Sequence, residues 1–199
     1  MRPRIPGTTT AILFTGGLDS TILALLAAPQ QPLLVFGAIK APACFAYNQA
    51  SIIRCRKIAK ALDLPFCVIT ITRHDYTRHF QRAARQLTPQ TFDEDLPAVS
   101  CLLSALKQRK IRRVISGMDA EGQAGFRLHR ALARTYGITF QCPYLSRPVA
   151  ASCTRPALEH ILYDAPHIHA LLNGLSPAHS SIPPYFWHSL KNALWPKTA

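Results

Sequence analysis

The sequence predicts an α/β protein in which a mostly parallel sheet carries helices on both faces. Three observations point there. Apolar β-rich runs alternate with helical ones along residues 11–116, as a parallel sheet with crossover helices requires. The first strand stops at a Gly-Gly turn and restarts as a helix. A chain of 199 residues with 48% hydrophobic content can bury a full core, and that length suggests one domain with a small appendage.

Ala11-Ile12-Leu13-Phe14 reads as the first strand and residues 20–28 as the first helix. Pro32 to Ala38 is the second strand, Ala50 to Leu62 an amphipathic helix, and Phe66 to Ile71 the third strand. The polar stretch Arg73 to Asp95 reads as a helix and a loop. Leu96 to Lys107 is a helix leading into a fourth strand, Arg113-Val114-Ile115-Ser116. Such sheets bind ligands at the carboxyl ends of their strands, where Thr15-Gly16-Gly17, Phe36-Gly37 and Ser116-Gly117 are expected to converge. We divide the chain into a core, residues 1–150, and a short appendage, 151–199, rich in Pro, His and aromatic residues. Tyr185-Phe186-Trp187 and Trp195 could pack that appendage onto the core or another subunit.

The segment Phe14 to Thr21, F-T-G-G-L-D-S-T, is the most informative. Free N–H groups and the positive end of a helix suit a bound phosphate. Gly16 and Gly17 let the backbone approach an anion. Thr15, Ser20 and Thr21 offer hydroxyl donors, and Ser20 or Asp19 can cap the helix. A carboxylate beside phosphate makes sense if Asp19 helps to hold Mg²⁺, which bridges phosphate oxygens. The loop lacks the G-x-x-x-x-G-K-[ST] spacing and its lysine, and also G-x-G-x-x-G.

T-G-G-L-D-S-T resembles the S-G-G-x-D-S signature of the PP-loop ATP pyrophosphatases, with Thr15 replacing serine. The resemblance implies an adenine nucleotide alpha-hydrolase-like fold, with ATP and Mg²⁺ as cofactors. It implies an ATP and pyrophosphate site made by Thr15, Gly16, Gly17, Leu18, Asp19, Ser20 and Thr21, with Ser116 and Gly117 opposite. Adenine is expected against backbone near Leu13 and at Val35, Phe36 and Gly37.

Two later segments resemble the synthetase domain of asparagine synthetases. Ser116 to Gly125, S-G-M-D-A-E-G-Q-A-G, is similar to the family's S-G-E-G-A-D-E-x-x-G-G, but Met118 and Gly122 replace its glutamates. Asp119 and Glu121 are therefore the local carboxylates expected to join Asp19 around the metal. Gly137 to Ser146 is similar to G-x-E-x-R-x-P-F-L-D, with Tyr144 for Phe, Gln141 for Arg and Ser146 for Asp. The resemblance covers roughly residues 10 to 150. It implies an enzyme that adenylates a carboxylate or amide oxygen of a small molecule or peptide, releases pyrophosphate, and passes the acyl group to ammonia or an amine. Asp19, Glu121 and Lys191 are the expected catalytic residues, with Arg147 a second candidate for the late cation. A counterpart of the family's glutaminase domain is not expected before the loop. The nitrogen is then expected as free ammonia, as an amine, or from a separate subunit.

The charge is lopsided, with 23 Lys and Arg against 10 Asp and Glu, a net +13 and a pI near 10.0. Such a balance suits anionic partners. Arg54, Arg56, Lys57 and Lys60 form one basic cluster and Lys107 to Arg113 another; both read as solvated helix faces, the second also complementing a helix C-terminus. A tRNA-modifying enzyme is the competing reading, since the loop also resembles that of tRNA-isoleucine lysidine synthetases. A third is a divergent, non-catalytic homologue that binds nucleotide beside a partner. The six cysteines form no C-x-x-C pair and read mostly as small buried hydrophobes. His160, His167, His169, His179 and His188 crowd the tail without a metal motif, and read as polar surface. No apolar run is long enough to span a bilayer, and a cytoplasmic protein is expected.

Overall fold

The computed structural model describes residues 8–40, 45–84, 96–117, 123–145 and Ile168. Five strands, β1 (Thr10–Leu13), β2 (Leu33–Ile39), β3 (Phe66–Ile71), β4 (Arg113–Ile115) and β5 (Thr139–Gln141), form one sheet in the order β3-β2-β1-β4-β5. Every pairing is parallel. Five α-helices connect them: α1 (Leu18–Ala27), α2 (Phe45–Ala61), α3 (Arg73–Ala84), α4 (Leu96–Gln108) and α5 (Gln123–Thr135). The α/β class and the parallel sheet are as the sequence predicts.

Alternate strand residues feed two cores, because successive side chains leave a strand on opposite faces. Ile12, Phe14, Leu34, Phe36 and Ile115 pack with Ile22, Leu23 and Ala27 of α1 and with Cys55 and Ile58 of α2. Ala11, Leu33, Val35, Ile69, Val114 and Phe140 pack with Leu102, Leu103 and Leu106 of α4 and with Leu132 and Ala133 of α5. Each fully buried aliphatic side chain contributes about 1.5–3 kcal/mol. Ile168 is also buried, in the core under α1 and α2. The boundary expected at residue 150, and the rest of the tail with its aromatic residues and histidines, lie outside the described residues.

Several boundaries differ from prediction. Helix α1 starts at Leu18 because Gly17, extended at φ −81 and ψ 174, is its N-cap. No side chain caps it, so the expectation that Asp19 or Ser20 does so is corrected: both sit inside the first turn. Phe36-Gly37 is not a strand end. Gly37 pairs with Ile69 inside β2, where it makes room for Leu102: a Cβ there would lie 3.0 Å from Leu102 Cδ1. Helix α2 begins at Phe45, ahead of the predicted Ala50. Helix α5 and strand β5 were not predicted; Leu132, Ala133, Tyr136, Ile138 and Phe140 are the buried positions that hold them in place. The basic end of α4 behaves as expected, with Arg109 Nη1 donating to the Ala105 carbonyl at 3.0 Å.

The chain winds outward from β1 in both directions, through β2 to β3 and through β4 to β5. The carboxyl ends of β1 and β4 are therefore the point where strand order reverses, the usual crevice for a ligand in an open α/β sheet.

Candidate nucleotide site

Strand β1 delivers Thr15 to the carboxyl edge as an exposed residue, and Gly16 then turns the chain at φ +69. That left-handed conformation favours glycine. Crowding demands it as well, since a Cβ on Gly16 would lie 3.0 Å from Cys55 Sγ and 3.1 Å from Arg54 Nε. The first i to i−4 bond of α1 runs from Thr21 N–H to the Gly17 carbonyl at 3.0 Å. The N–H groups of the first turn have no intrahelical acceptor, and the N-cap residue, Gly17, brings no side chain to cap them. An uncapped helix start behind a glycine turn is an anion-binding geometry.

The hydroxyls near the turn hold one another loosely. Thr15 Oγ1 accepts from Gly17 N–H at 3.4 Å and lies 3.4 Å from Ser20 Oγ, while Ser20 Oγ donates to the Gly17 carbonyl at 3.3 Å. Bonds of this length are weak and readily exchanged for phosphate oxygens. Thr21 differs: it is fully buried, and its hydroxyl has no partner among the described residues.

Two later segments meet the loop at one residue. Gly117, leaving β4, lies so close that a Cβ on it would be 3.2 Å from both Asp19 Cβ and Ser20 N. Tyr144, almost fully buried, donates its phenol proton to the Asp19 carbonyl at 2.7 Å. Ser116 is buried and donates its N–H to the Gln141 carbonyl at 2.9 Å. The loop, the β4 exit and the Pro143–Leu145 turn are thus one assembly around the first turn of α1.

Helix α2 buttresses the loop. Arg54 Nη2 donates to the Thr15 carbonyl at 3.4 Å and Cys55 Sγ to the Phe14 carbonyl at 3.7 Å. Burial pushes the Cys55 thiol up to about 11, so it stays protonated and able to donate at neutral pH. The sequence placed Arg54 in a basic helical cluster; no motif marks it, because its role comes from α2 passing behind β1.

Of the other site residues expected from the sequence, Leu18 and Asp19 are half-buried in the first turn of α1. Val35 and Phe36 are interior, on opposite cores, and the Val35 carbonyl accepts from Phe14 N–H at 2.8 Å. Gly37 is half-buried beneath Leu102. Asp119, Glu121, Lys191 and Arg147 lie outside the described residues. Among the described residues, no group of three or more His, Cys, Asp or Glu is placed to hold a metal. Asp19 in the first turn of α1 suits Mg²⁺, which commonly takes one or two carboxylates and completes its shell with phosphate and water. Gln141, at the position of the family arginine, accepts from Arg113 Nε of β4.

Sheet order, glycine turn and uncapped helix define a PP-loop α/β protein. The family model for asparagine synthase matches residues 8–172, and the chain belongs to that family. No curated protein matches. Among solved structures, NMN synthetase from Francisella tularensis is similar at 13% identity, with 98% of this chain and 79% of that one covered and a TM-score of 0.51. A predicted subunit of tRNA methyltransferase from Methanocaldococcus jannaschii is similar at 18% identity over 87% of this chain and 94% of that one, with a TM-score of 0.45. At such identity the likeness to the NMN synthetase concerns the fold. Among the described residues no helix is long and apolar enough to cross a membrane.

Proposed function

We propose that this protein is an ATP-dependent ligase that adenylates a carboxylate or amide oxygen, releases pyrophosphate, and transfers the acyl group to ammonia or an amine. The observation that carries the reading is the uncapped start of α1 behind a left-handed Gly16, closed on its far side by Gly117, in a chain of the asparagine synthase family. In this reading the pyrophosphate end of ATP lies on residues 15–21 and takes the N–H groups of the first helical turn. The substrate oxygen attacks the α-phosphorus. The bond from that phosphorus to the bridging oxygen breaks, and pyrophosphate departs. The nitrogen nucleophile then attacks the acyl carbon, AMP leaves, and the nitrogen gives up its extra proton. Mg²⁺, when bound, would neutralise charge that develops on the phosphate oxygens. Asp19, with Glu121 and Asp119, would hold it, and Lys191 would stabilise charge on the reacting phosphate. The loop's part is to fix the nucleotide so that the attack is effectively intramolecular.

One observation favours a tRNA substrate as the second reading. Arg127, Arg130 and Arg134 of α5 are exposed at i, i+3 and i+7, one stripe of a helix, and pair with no acid among the described residues. Salt-sensitive binding of tRNA would support it.

The test is product analysis with ATP and Mg²⁺ across acids, amines and tRNA. AMP and pyrophosphate are expected, and Asp19→Ala should lower their formation by roughly two orders of magnitude or more, the scale of losing an electrostatic group at a reacting centre. Formation of ADP and phosphate would overturn the assignment.

A further inference from the structure

Backbone N–H groups carry only partial charge, whereas the pyrophosphate end of a nucleotide is a compact polyanion. The loop Phe14 to Thr21 contains no Lys or Arg. Its cation must come from another element, and α2 supplies one. We propose that Arg54 grips the terminal phosphates of the nucleotide. This rests on the ATP reading above and adds a residue that the loop motif does not contain.

Three features set Arg54 apart from its neighbours. Arg56, Lys57 and Lys60 on the same helix are exposed, whereas Arg54 is half-buried against the loop. Its Nη2 reaches the Thr15 carbonyl over 3.4 Å, a weak tether, and its Nε is shut off from solvent with no partner among the described residues. It forms no ion pair among those residues, so its charge is not neutralised there. Burying an unneutralised guanidinium donor is costly, and an arriving anion would relieve that cost.

The placement is also fixed from two sides. Gly16 has no Cβ, so Arg54 Nε approaches within 3.1 Å of where one would stand. The next residue, Cys55, is fully buried with its thiol on the Phe14 carbonyl. Helix α2 therefore cannot slide along the loop without breaking both contacts. A planar guanidinium presents a fork of donors to two phosphate oxygens, and among the described residues Arg54 commits only one of its donors, weakly, to protein.

The experiment is calorimetric titration of the full chain with inorganic pyrophosphate and with ATP, each with Mg²⁺, alongside urea unfolding without ligand. Arg54→Ala should weaken both ligands about 10- to 100-fold, the worth of one or two charge-assisted hydrogen bonds, with the unligated midpoint unchanged. Arg54→Lys should recover part of the loss through its point charge. If wild type binds pyrophosphate and Arg54→Ala binds it within twofold, this inference falls and the ATP reading stands. A loss in Arg54→Ala that Arg54→Lys does not relieve, with a lowered unligated midpoint, would make Arg54 a structural brace and also overturn it. If wild type binds neither ligand, the ATP reading fails and this inference with it.

Discussion

The phenol of Tyr144 donates to the main-chain carbonyl of Asp19 at 2.7 Å, across 125 residues of sequence. The bond gives physical sense to a departure in the third motif, where Tyr144 replaces the family Phe. A Phe could pack in the same place, but it could not reach a carbonyl in the first turn of α1. The hydroxyl fixes the height of that turn relative to the β5 side of the sheet. Tyr144→Phe should therefore cost about 0.5–1.5 kcal/mol, the net worth of one hydrogen bond. Tyr144→Ala also opens a cavity and should cost about 3–5 kcal/mol, by analogy with other large aromatic truncations. Urea unfolding of the two variants separates the terms. Equal midpoints for wild type and Tyr144→Phe would mean that water replaces the phenol without loss.

Gly117 and Gly137 are expected to respond differently to a methyl group. At Gly117 the new Cβ meets Ser20 N at 3.2 Å and Asp19 C at 3.3 Å, main-chain atoms that cannot swing aside. Gly117→Ala should push the β4 exit away from the loop, costing about 1–3 kcal/mol as overpacking does and weakening nucleotide binding as well. Gly137 has φ +68 with nothing within 4 Å of its Cβ position. Gly137→Ala should cost only the left-handed backbone strain, about 1–2 kcal/mol, and leave binding intact. The decisive comparison is binding rather than stability. Similar nucleotide affinity in the two variants would show that the Gly117 contact does not shape the site.

Much of the architecture was legible because it is written in local patterns. Strand β3 matches its predicted span, Phe66–Ile71, and α4 ends one residue beyond its predicted end, since both are apolar runs with polar borders. The convergence of Thr15-Gly16-Gly17 with Ser116-Gly117 was legible from the alternation of strands and helices, which brings the carboxyl ends of parallel strands to one edge. Other features depend on tertiary contact. Gly37 looked like a turn because glycine usually marks one, yet its purpose is to admit Leu102 from α4, which no sequence window shows. Arg54 looked like an exposed helical cation among three that are exposed. Only the passage of α2 behind β1 distinguishes it. Helix α5 was missed because its exposed arginines lower the apolar signal, while the five buried positions Leu132, Ala133, Tyr136, Ile138 and Phe140 record the packing of α5 and β5.

On the far face of the sheet a buried polar relay ties three helical segments together. His79 of α3 lies 2.8 Å through Nδ1 from Ser100 Oγ of α4, which lies 2.7 Å from the Tyr136 hydroxyl just beyond α5. All three residues are at most 7% exposed, so a lost partner is not replaced by bulk water. Ser100→Ala leaves His79 and Tyr136 each one hydrogen bond short and should cost about 1–3 kcal/mol. Adding Tyr136→Phe removes one of the two groups that lost the serine, so the double variant should lose less than the sum of the singles. A double-mutant cycle in urea reads this directly. Strict additivity would show that the relay is not energetically coupled.

The start of α3 makes stability depend on pH in a defined direction. Thr72 and Asp75 form a reciprocal cap: Asp75 N–H donates to Thr72 Oγ1 at 3.1 Å, and Thr72 Oγ1 donates to Asp75 Oδ2 at 2.6 Å. That hydroxyl bond holds the Asp75 carboxyl below its ordinary value, with Arg78 at 3.2 Å adding a smaller pull. A depressed folded-state value means that the folded protein favours the ionised form. The contribution is therefore fully present above the unfolded carboxyl's value, about 3.9, and is lost as pH falls through the lower folded value. Thr72→Ala should cost about 1 kcal/mol at neutral pH, as losing a helix N-cap does. Asp75→Asn should destabilise at pH 7, and its difference from wild type should shrink toward pH 3. Urea midpoints at the two pH values test the sign: a difference that grows on acidification would mean that the carboxyl is not stabilised in its charged form by the cap.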